Sequence, residues 1–336
     1  MDYKRIAIDI SKHVFTVHGV DPLDQAVLRR NLKRSDVEKF FRQVGATEVV
    51  MEACGSAHYW ARVLEQLGHR VRLLPAQYVK PFVKRSKNDR TDAEAICEAA
   101  SRPGMTGVPV KTAQQQADTM ILRHRDLLIK QRTATINALR GHAAEFGVIT
   151  GKGTSKVQPL LNKLAEDEMV PTVARGMFER MREHIDQLDQ QIDDLEKELL
   201  ALHQANKLSR SLAAMPGIGP IIAINYTLTV APEHFKSGRH FAAWLGLTPK
   251  EHSTGGKQRL GRISKAGNER LRQLLIVGAT SVIRHAKPGA KSASAWLLKL
   301  LERKPRKLVA VALANKMARI LWAMMAHGEA YRHSPA

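Results

Sequence analysis

Four carboxylates in the first hundred residues, and one serine in a basic stretch past residue 250, are the side chains whose types and setting could do chemistry. Asp9 follows the apolar run Ile6-Ala-Ile, Glu52 ends Val49-Val-Met, and Asp89 and Asp92 stand three apart in Lys87-Asn-Asp-Arg-Thr-Asp-Ala93. Carboxylates gathered at one point repel unless cations neutralise them, and their hard oxygens favour Mg²⁺. Two such ions about 3.5–4 Å apart activate an attacking group and stabilise the leaving oxygen of a phosphodiester. Taken singly, each acid has a plainer reading: a strand-end Asp is often a turn residue, and acids opening a helix often do no more than cap it and face its dipole.

The serine, Ser253, lies in Thr248-Pro-Lys-Glu-His-Ser-Thr-Gly-Gly-Lys257, and Arg259, Arg262 and Lys265 follow it. Hydroxyls beside glycines and several cations can hold a phosphate next to a nucleophile, because the cations stabilise developing negative charge. Ser and Gly are also what any flexible loop contains. Upstream, Pro216-Gly-Ile-Gly-Pro220, flanked by Leu212, Met215 and Ile221, fits the turn of a helix-hairpin-helix. There Gly217 and Gly219 would let a phosphate approach the backbone and the amides of the following helix. A tight turn between packed helices is the plainer alternative.

Three distant segments deliver the acids, so the elements between them must bring them together. Residues 5–10, 15–20 and 26–32 alternate like strands, 36–44 reads as a helix, 48–52 as a strand, 59–67 as a helix, 70–74 as a strand and 92–100 as a helix. Strand-strand-strand-helix-strand-helix-strand-helix is an α/β pattern of the RNase H type, in which the first and fourth strands are neighbours and the closing helix reaches their ends. A doubly wound nucleotide-binding fold would need a glycine-rich loop after its first strand, and none is present.

From Thr112 to Phe146 the pattern is one long basic helix, followed by a looser stretch around Gly151 and Gly153. Then Met181, Ile185, Leu188, Ile192, Leu195, Leu199 and Leu202 recur at alternating intervals of four and three, a heptad seam. It fits a coiled-coil hairpin, a dimer contact, or a helix packed within its own domain. Residues 207–336 read as a mostly helical basic domain. The expected organisation is α/β plus all-α: an RNase H-like domain over 1–103, a helical coiled-coil region over 104–206 and a helical domain over 207–336.

The 336 residues carry a formal net charge of +21, with pI near 10.2 and 44% hydrophobic residues. That is apolar material for folded domains, and a surface whose commonest partner is nucleic acid. The charge is uneven: residues 207–336 hold 22 basic and 5 acidic side chains, a net +17, whereas 151–206 is net −4. The basic helix from Thr112 and the first domain, net +4, offer a second polyanion surface. Cys54 and Cys97 make neither a disulfide framework nor a zinc motif. The opening residues are charged where a signal peptide would be apolar, and Leu308–Ala326 is interrupted by Asn315, Lys316 and Arg319, so no membrane segment is expected.

Together the motifs resemble the Piv-like insertion-sequence transposases, over nearly the whole chain. The resemblance rests on Ile8-Asp9-Ile-Ser-Lys12, Met51-Glu52-Ala53, Asn88-Asp89-Arg-Thr-Asp92-Ala93, Pro216-Gly-Ile-Gly219, Leu245-Gly-Leu-Thr-Pro249, Ser253-Thr-Gly-Gly256 and Ile263-Ser-Lys-Ala-Gly267. It implies a RuvC-like DEDD domain with Asp9, Glu52, Asp89 and Asp92 on Mg²⁺, and a C-terminal domain with a nucleophilic serine. In the family that serine precedes a glycine, and here Thr254 does, so Ser253 and Thr254 both align, the less hindered primary hydroxyl favouring Ser253. The resemblance further implies a transient covalent protein–DNA bond, donor and target DNA, and a non-coding bridge RNA. A dimer or tetramer, acids and serine in a composite centre, and a bacterial cytoplasmic setting are likewise expected. Two other readings are weighed beside it: a RuvC-like metal nuclease acting on branched DNA, and a non-catalytic nucleic-acid-binding protein.

Overall fold

The alternation in the first hundred residues becomes a five-stranded sheet. The structure, a computed structural model, describes residues 2–83, 89–105, 107–287 and 294–332, with Asp89 described by its backbone only. Two compact units divide the chain, residues 1–117 and 118–336.

In the first unit β1 (Arg5–Asp9), β2 (Val14–Val20) and β3 (Ala26–Lys33) form an antiparallel meander. Helix α1 (Val37–Arg42) leads to β4 (Glu48–Glu52), α2 (Ala57–Gln66) to β5 (Arg70–Leu74), and α3 (Ala76–Val79) precedes α4 (Asp89–Ser101). The strand order is β3-β2-β1-β4-β5, with β4 parallel to both β1 and β5. Parallel neighbours need crossovers, and the helices supply them.

Period-two alternation sorts the side chains into two buried layers. Ile6, Ile8, Phe15, Val17, Val49 and Met51 pack with Phe41, Trp60 and Leu64 of α1 and α2. Ala7, Val20, Val50 and Leu74 face the other way, onto Ala95, Ile96 and Ala99 of α4. Arg5 and Glu48, at the starts of β1 and β4, form a buried ion pair at 3.0 Å.

The second unit contains most of α5 (Ala113–Ala144), then α6 (Val157–Glu166) and α7 (Thr172–Ala205). The stretch expected to be loose after α5 carries α6, because Val157, Leu160, Leu161 and Leu164 form an apolar stripe that packs on Leu139 and Phe178. The heptad seam of α7 faces α5 of the same chain. Leu199 meets Leu122, Leu188 and Ile192 meet Leu128, and Ile185 shares a cluster with Ile136. Arg125 pairs with Glu196, and Arg132 with Asp189, in the same antiparallel register.

Helices α8 (Lys207–Leu212), α9 (Pro220–Thr229) and α10 (Gly238–Trp244) follow, then β6 (Pro249–Glu251), β7 (Leu260–Ile263), α11 (Glu269–Arg284), α12 (Ala295–Arg303) and α13 (Arg306–His327). Their core gathers Leu212, Met215, Tyr226, Phe241, Leu275 and Leu321. Helix α13 is long and apolar enough to cross a membrane by length and composition. In the fold its Ala314, Met317, Ala318 and Leu321 pack into that core.

Candidate active site

Asp9 and Glu52 are the last residues of β1 and β4, which lie side by side and parallel, with Ile8 opposite Met51. Alternation turns both toward the α4 side, since Ala7 and Val50, two residues earlier, face α4. Both are half-buried. The direction of α4 follows from two hydrogen bonds. The Arg5 guanidinium donates to the Cys97 carbonyl at 3.4 Å, and Arg72 donates to the Ala100 carbonyl at 3.3 Å, so the end of α4 lies by the start of β1. From Cys97 back to Asp89 the helix rises about 12 Å, and from Arg5 to Asp9 the strand advances about 13 Å. The first turn of α4, with Asp89 and half-buried Asp92, therefore arrives at the strand ends that carry Asp9 and Glu52.

This is an all-carboxylate corner, whose oxygens suit a hard dication such as Mg²⁺ and offer no soft ligand. Among the described residues no three His, Cys, Asp or Glu side chains stand together as a metal site, and the side chain of Asp89 lies outside them.

Ser253 sits on a hairpin, where a polar loop in a helical domain was expected. Pro249 pairs with Ile263 and Glu251 with Leu260, His252 donates to the Arg259 carbonyl at 2.9 Å, and Thr254 bridges Lys257. The tip turns through Gly255 and Gly256, both at positive φ, as a two-residue loop matched to strand twist requires. The hairpin is anchored at its base. Ser264 donates to the Thr248 carbonyl at 2.8 Å and Lys265 to that of Gly246 at 3.1 Å. Buried Arg272 ties both segments, donating to the carbonyls of Leu245 at 3.0 Å and Ala266 at 2.8 Å. The motifs 245–249 and 263–267 are thus the two feet of one hairpin.

Glu251 and Ser253 are two apart on an extended segment and so share a side. The Ser253 hydroxyl donates to Glu251 Oε1 at 2.7 Å and accepts the Arg259 N–H at 3.1 Å. Lys257, Arg259 and Arg262 on the same hairpin and Lys265 at its foot are all exposed. A hydroxyl beside a carboxylate acceptor, a backbone donor and several cations is equipped to lose its proton and attack an anionic centre. Glu251 escaped the sequence reading, because its i−2 relation to Ser253 matters only on an extended segment and the exposed strand Pro249–Glu251 carries no pattern that marks it as one.

The Pro216–Pro220 turn joins α8 to α9. Its glycines differ in surroundings. A Cβ on Gly217, φ +85°, would stand 2.7 Å from the Gly278 carbonyl oxygen, so this glycine lets the turn pack directly on α11. Gly219, capping α9, opens to space.

Residues 6–147 match the DEDD transposase domain of IS110 elements, and residues 209–294 match the family described as Transposase IS116/IS110/IS902. The chain is 50% identical over 332 residues to a putative transposase, y4pF/y4sB, of Sinorhizobium fredii, covering 98% of this chain and 86% of that protein. It is 39% identical over 339 residues to the transposase for insertion sequence element IS1111A of Coxiella burnetii, covering 98% and 92%. To the pilin gene-inverting protein of Moraxella bovis it is 23% identical over 292 residues, covering 82% and 79%. A DEDD nuclease-like α/β unit and a helical unit with a basic hairpin are the parts of an insertion-sequence transposase, a class that binds DNA and transfers its strands. The chain belongs to the IS110/IS116 family of these transposases.

Proposed function

We propose that the protein recombines its insertion sequence through a serine–DNA ester, with the hydrogen bond from Ser253 to Glu251 as the observation that carries the reading. The Ser253 oxygen attacks a phosphodiester phosphorus. A new Oγ–P bond forms and one P–O(sugar) bond breaks, the Ser253 proton passes to Glu251, and the departing sugar oxygen takes a proton from solvent. The Arg259 N–H and the cations Lys257, Arg262 and Lys265 balance the charge that builds on the phosphate. Reversal of the step by a sugar hydroxyl of a second DNA completes strand exchange and frees the serine.

Asp9, Glu52, Asp89 and Asp92 would hold Mg²⁺, which neutralises a phosphate oxygen and lowers the pKa of a bound hydroxyl. The acids, which by themselves repel phosphate, would hold that ion beside Thr16, the residue opposite Asp9 on β2. Gly219 at the start of α9 supplies a sequence-independent DNA contact. A bridge RNA selects donor and target DNA, and a homo-oligomer in the bacterial cytoplasm brings the two DNAs together.

The test is denaturing-gel trapping of the protein on DNA of its own element ends. The native protein and Thr254→Ala should both form an adduct, and Ser253→Ala should form none while keeping nucleic-acid affinity within about twofold. An adduct that survives Ser253→Ala overturns the assignment. Metal-dependent cleavage with no adduct in the native protein replaces it with a nuclease acting on branched DNA. Binding with neither activity leaves a nucleic-acid-binding protein.

A further inference from the structure

The α4 side of the sheet is not covered evenly. Helix α4 packs along β1, β2 and β4, and β3 lies beyond it as the edge strand. Between α4 and β3 runs a cavity of about 300 Å³ lined by Thr16, His18, Arg29, Asn31, Arg90 and Glu94. A hollow of that size falls at the lower end of the range for ligand sites. Its floor is polar, which is unusual for a sheet face next to an apolar core. Thr16 and His18 are 5% and 6% exposed, and across the β2–β3 ladder they face Asn31 and Arg29.

The Thr16 hydroxyl donates to Asn31 Oδ1 at 3.2 Å, and Asn31 lines the cavity. Arg29 and Arg90, exposed on opposite walls, form no ion pair with another described residue. Three guanidiniums line it, those of Arg29, Arg30 and Arg90, against one carboxylate, Glu94, and leave the groove positive. The groove also has a direction, because Thr16 is opposite Asp9 in the β1–β2 ladder. One end therefore opens at the acid corner.

We propose that this groove is a backbone subsite for the DNA strand being cut, holding a phosphodiester next to the one that reaches Asp9, Glu52 and Asp92. Arg29 and Arg90 clasp the phosphate from the two walls, each able to offer a paired donor fork. Asn31 donates to the neighbouring sugar–phosphate oxygens. The strand enters single, since the groove is closed by β3 on one wall and α4 on the other. The inference rests on the acid corner being the cutting site, and its test separates the two.

The measurement is the salt dependence of binding of a labelled single-stranded deoxyoligonucleotide from the element end, in EDTA, to the full-length protein. Each phosphate contact contributes about 0.7 to the slope of log affinity against log salt for a single strand. The double variant Arg29→Gln, Arg90→Gln removes the clasp on that one phosphate and should lower the slope by about 0.7, with an unchanged circular dichroism spectrum and thermal transition, since both side chains are exposed. An unchanged slope overturns the subsite. A drop seen with the RNA oligonucleotide of the same sequence but not with DNA overturns its assignment to the cut strand. The acid-corner reading fails differently: Asp9→Asn would retain recombination, whatever the slope does.

Discussion

Ser253 is an exposed hydroxyl, and nothing in its burial distinguishes it from the hydroxyl of Thr254. What separates the two is a carboxylate 2.7 Å from Ser253. If Glu251 takes the proton, Glu251→Gln keeps the hydrogen bond as an acceptor and removes the base, so adduct formation should slow by about 10²–10⁴-fold. Binding should be retained or tighten slightly, because Glu251 repels phosphate and is no phosphate ligand. Single-turnover trapping gives the rate, and a rate within threefold of the native protein's would assign Glu251 to hairpin structure alone. At the other site Asp9→Asn and Glu52→Gln retain shape and lose charge. Recombination should collapse in both, with folding intact and the heat of Mg²⁺ binding lost in calorimetry. Near-normal recombination by either variant would remove it from the metal site.

At the scale of elements, the ends of β1 and β4 differ in what they carry: the candidate acids Asp9 and Glu52 where the strands finish, and the buried Arg5–Glu48 ion pair where they start. Burial would push the Glu48 carboxyl up, but hydrogen bonds from Arg72 and Arg5, with their charges, hold it below the usual carboxylate range. A depressed folded-state pKa adds stability that is fully present above the unfolded value, near 4.5, and is lost as pH falls through the folded value. Glu48→Gln takes the buried partner from Arg5 and leaves only the half-exposed Asp24, 3.6 Å away, as its counter-charge, a loss of about 3 kcal/mol. Hydrogen exchange of β1 and β4 peptides at pH 7 should then quicken by about 100-fold, and the gap between variant and native protein should close as the pH is lowered through the carboxylate range.

The same scale shows what the sequence made legible. The strands 48–52 and 70–74 were readable to the residue because each is a short run bounded by turns, the first of them buried from Glu48 to Met51. The order of strands and helices then predicted the β1–β4 adjacency. The hairpin β6–β7 was not readable: Pro249–Glu251 is exposed throughout and Leu260–Ile263 nearly so, so no alternation of apolar and polar residues marks it. It is held by its feet, by the turn glycines and by the buried Arg272, a long-range anchor with no local pattern. Helix α6 was missed for a different reason, its short apolar stripe being masked by the glycines before it. The groove between α4 and β3 depends on which sheet face α4 leaves bare, which only the packing reveals.

For the molecule as a whole, the net +21 looks like more surface than one DNA duplex needs, yet part of it is already answered within the fold. Of the cations on α5, Arg125 and Arg132 are paired with Glu196 and Asp189 of α7, and Arg140 donates to the Gly153 carbonyl. The long basic helix is therefore a weaker polyanion surface than its composition implies. The largest share of the net positive charge lies in residues 207–336, and in the first unit Arg29, Arg30 and Arg90 are exposed on β3 and the start of α4. If a bridge RNA is bound, it should lie on those surfaces and spare α5. Purified protein washed in high salt should retain one RNA species that maps to non-coding DNA flanking its own reading frame, because phosphate neutralisation alone falls steeply with salt and ignores sequence. Arg123→Gln with Lys130→Gln on α5 should leave the amount of RNA within about twofold, whereas Arg259→Gln with Arg262→Gln on the hairpin should reduce it severalfold. Recovery of heterogeneous cellular RNA only, together with recombination by RNase-treated protein, would show that the protein itself reads its DNA.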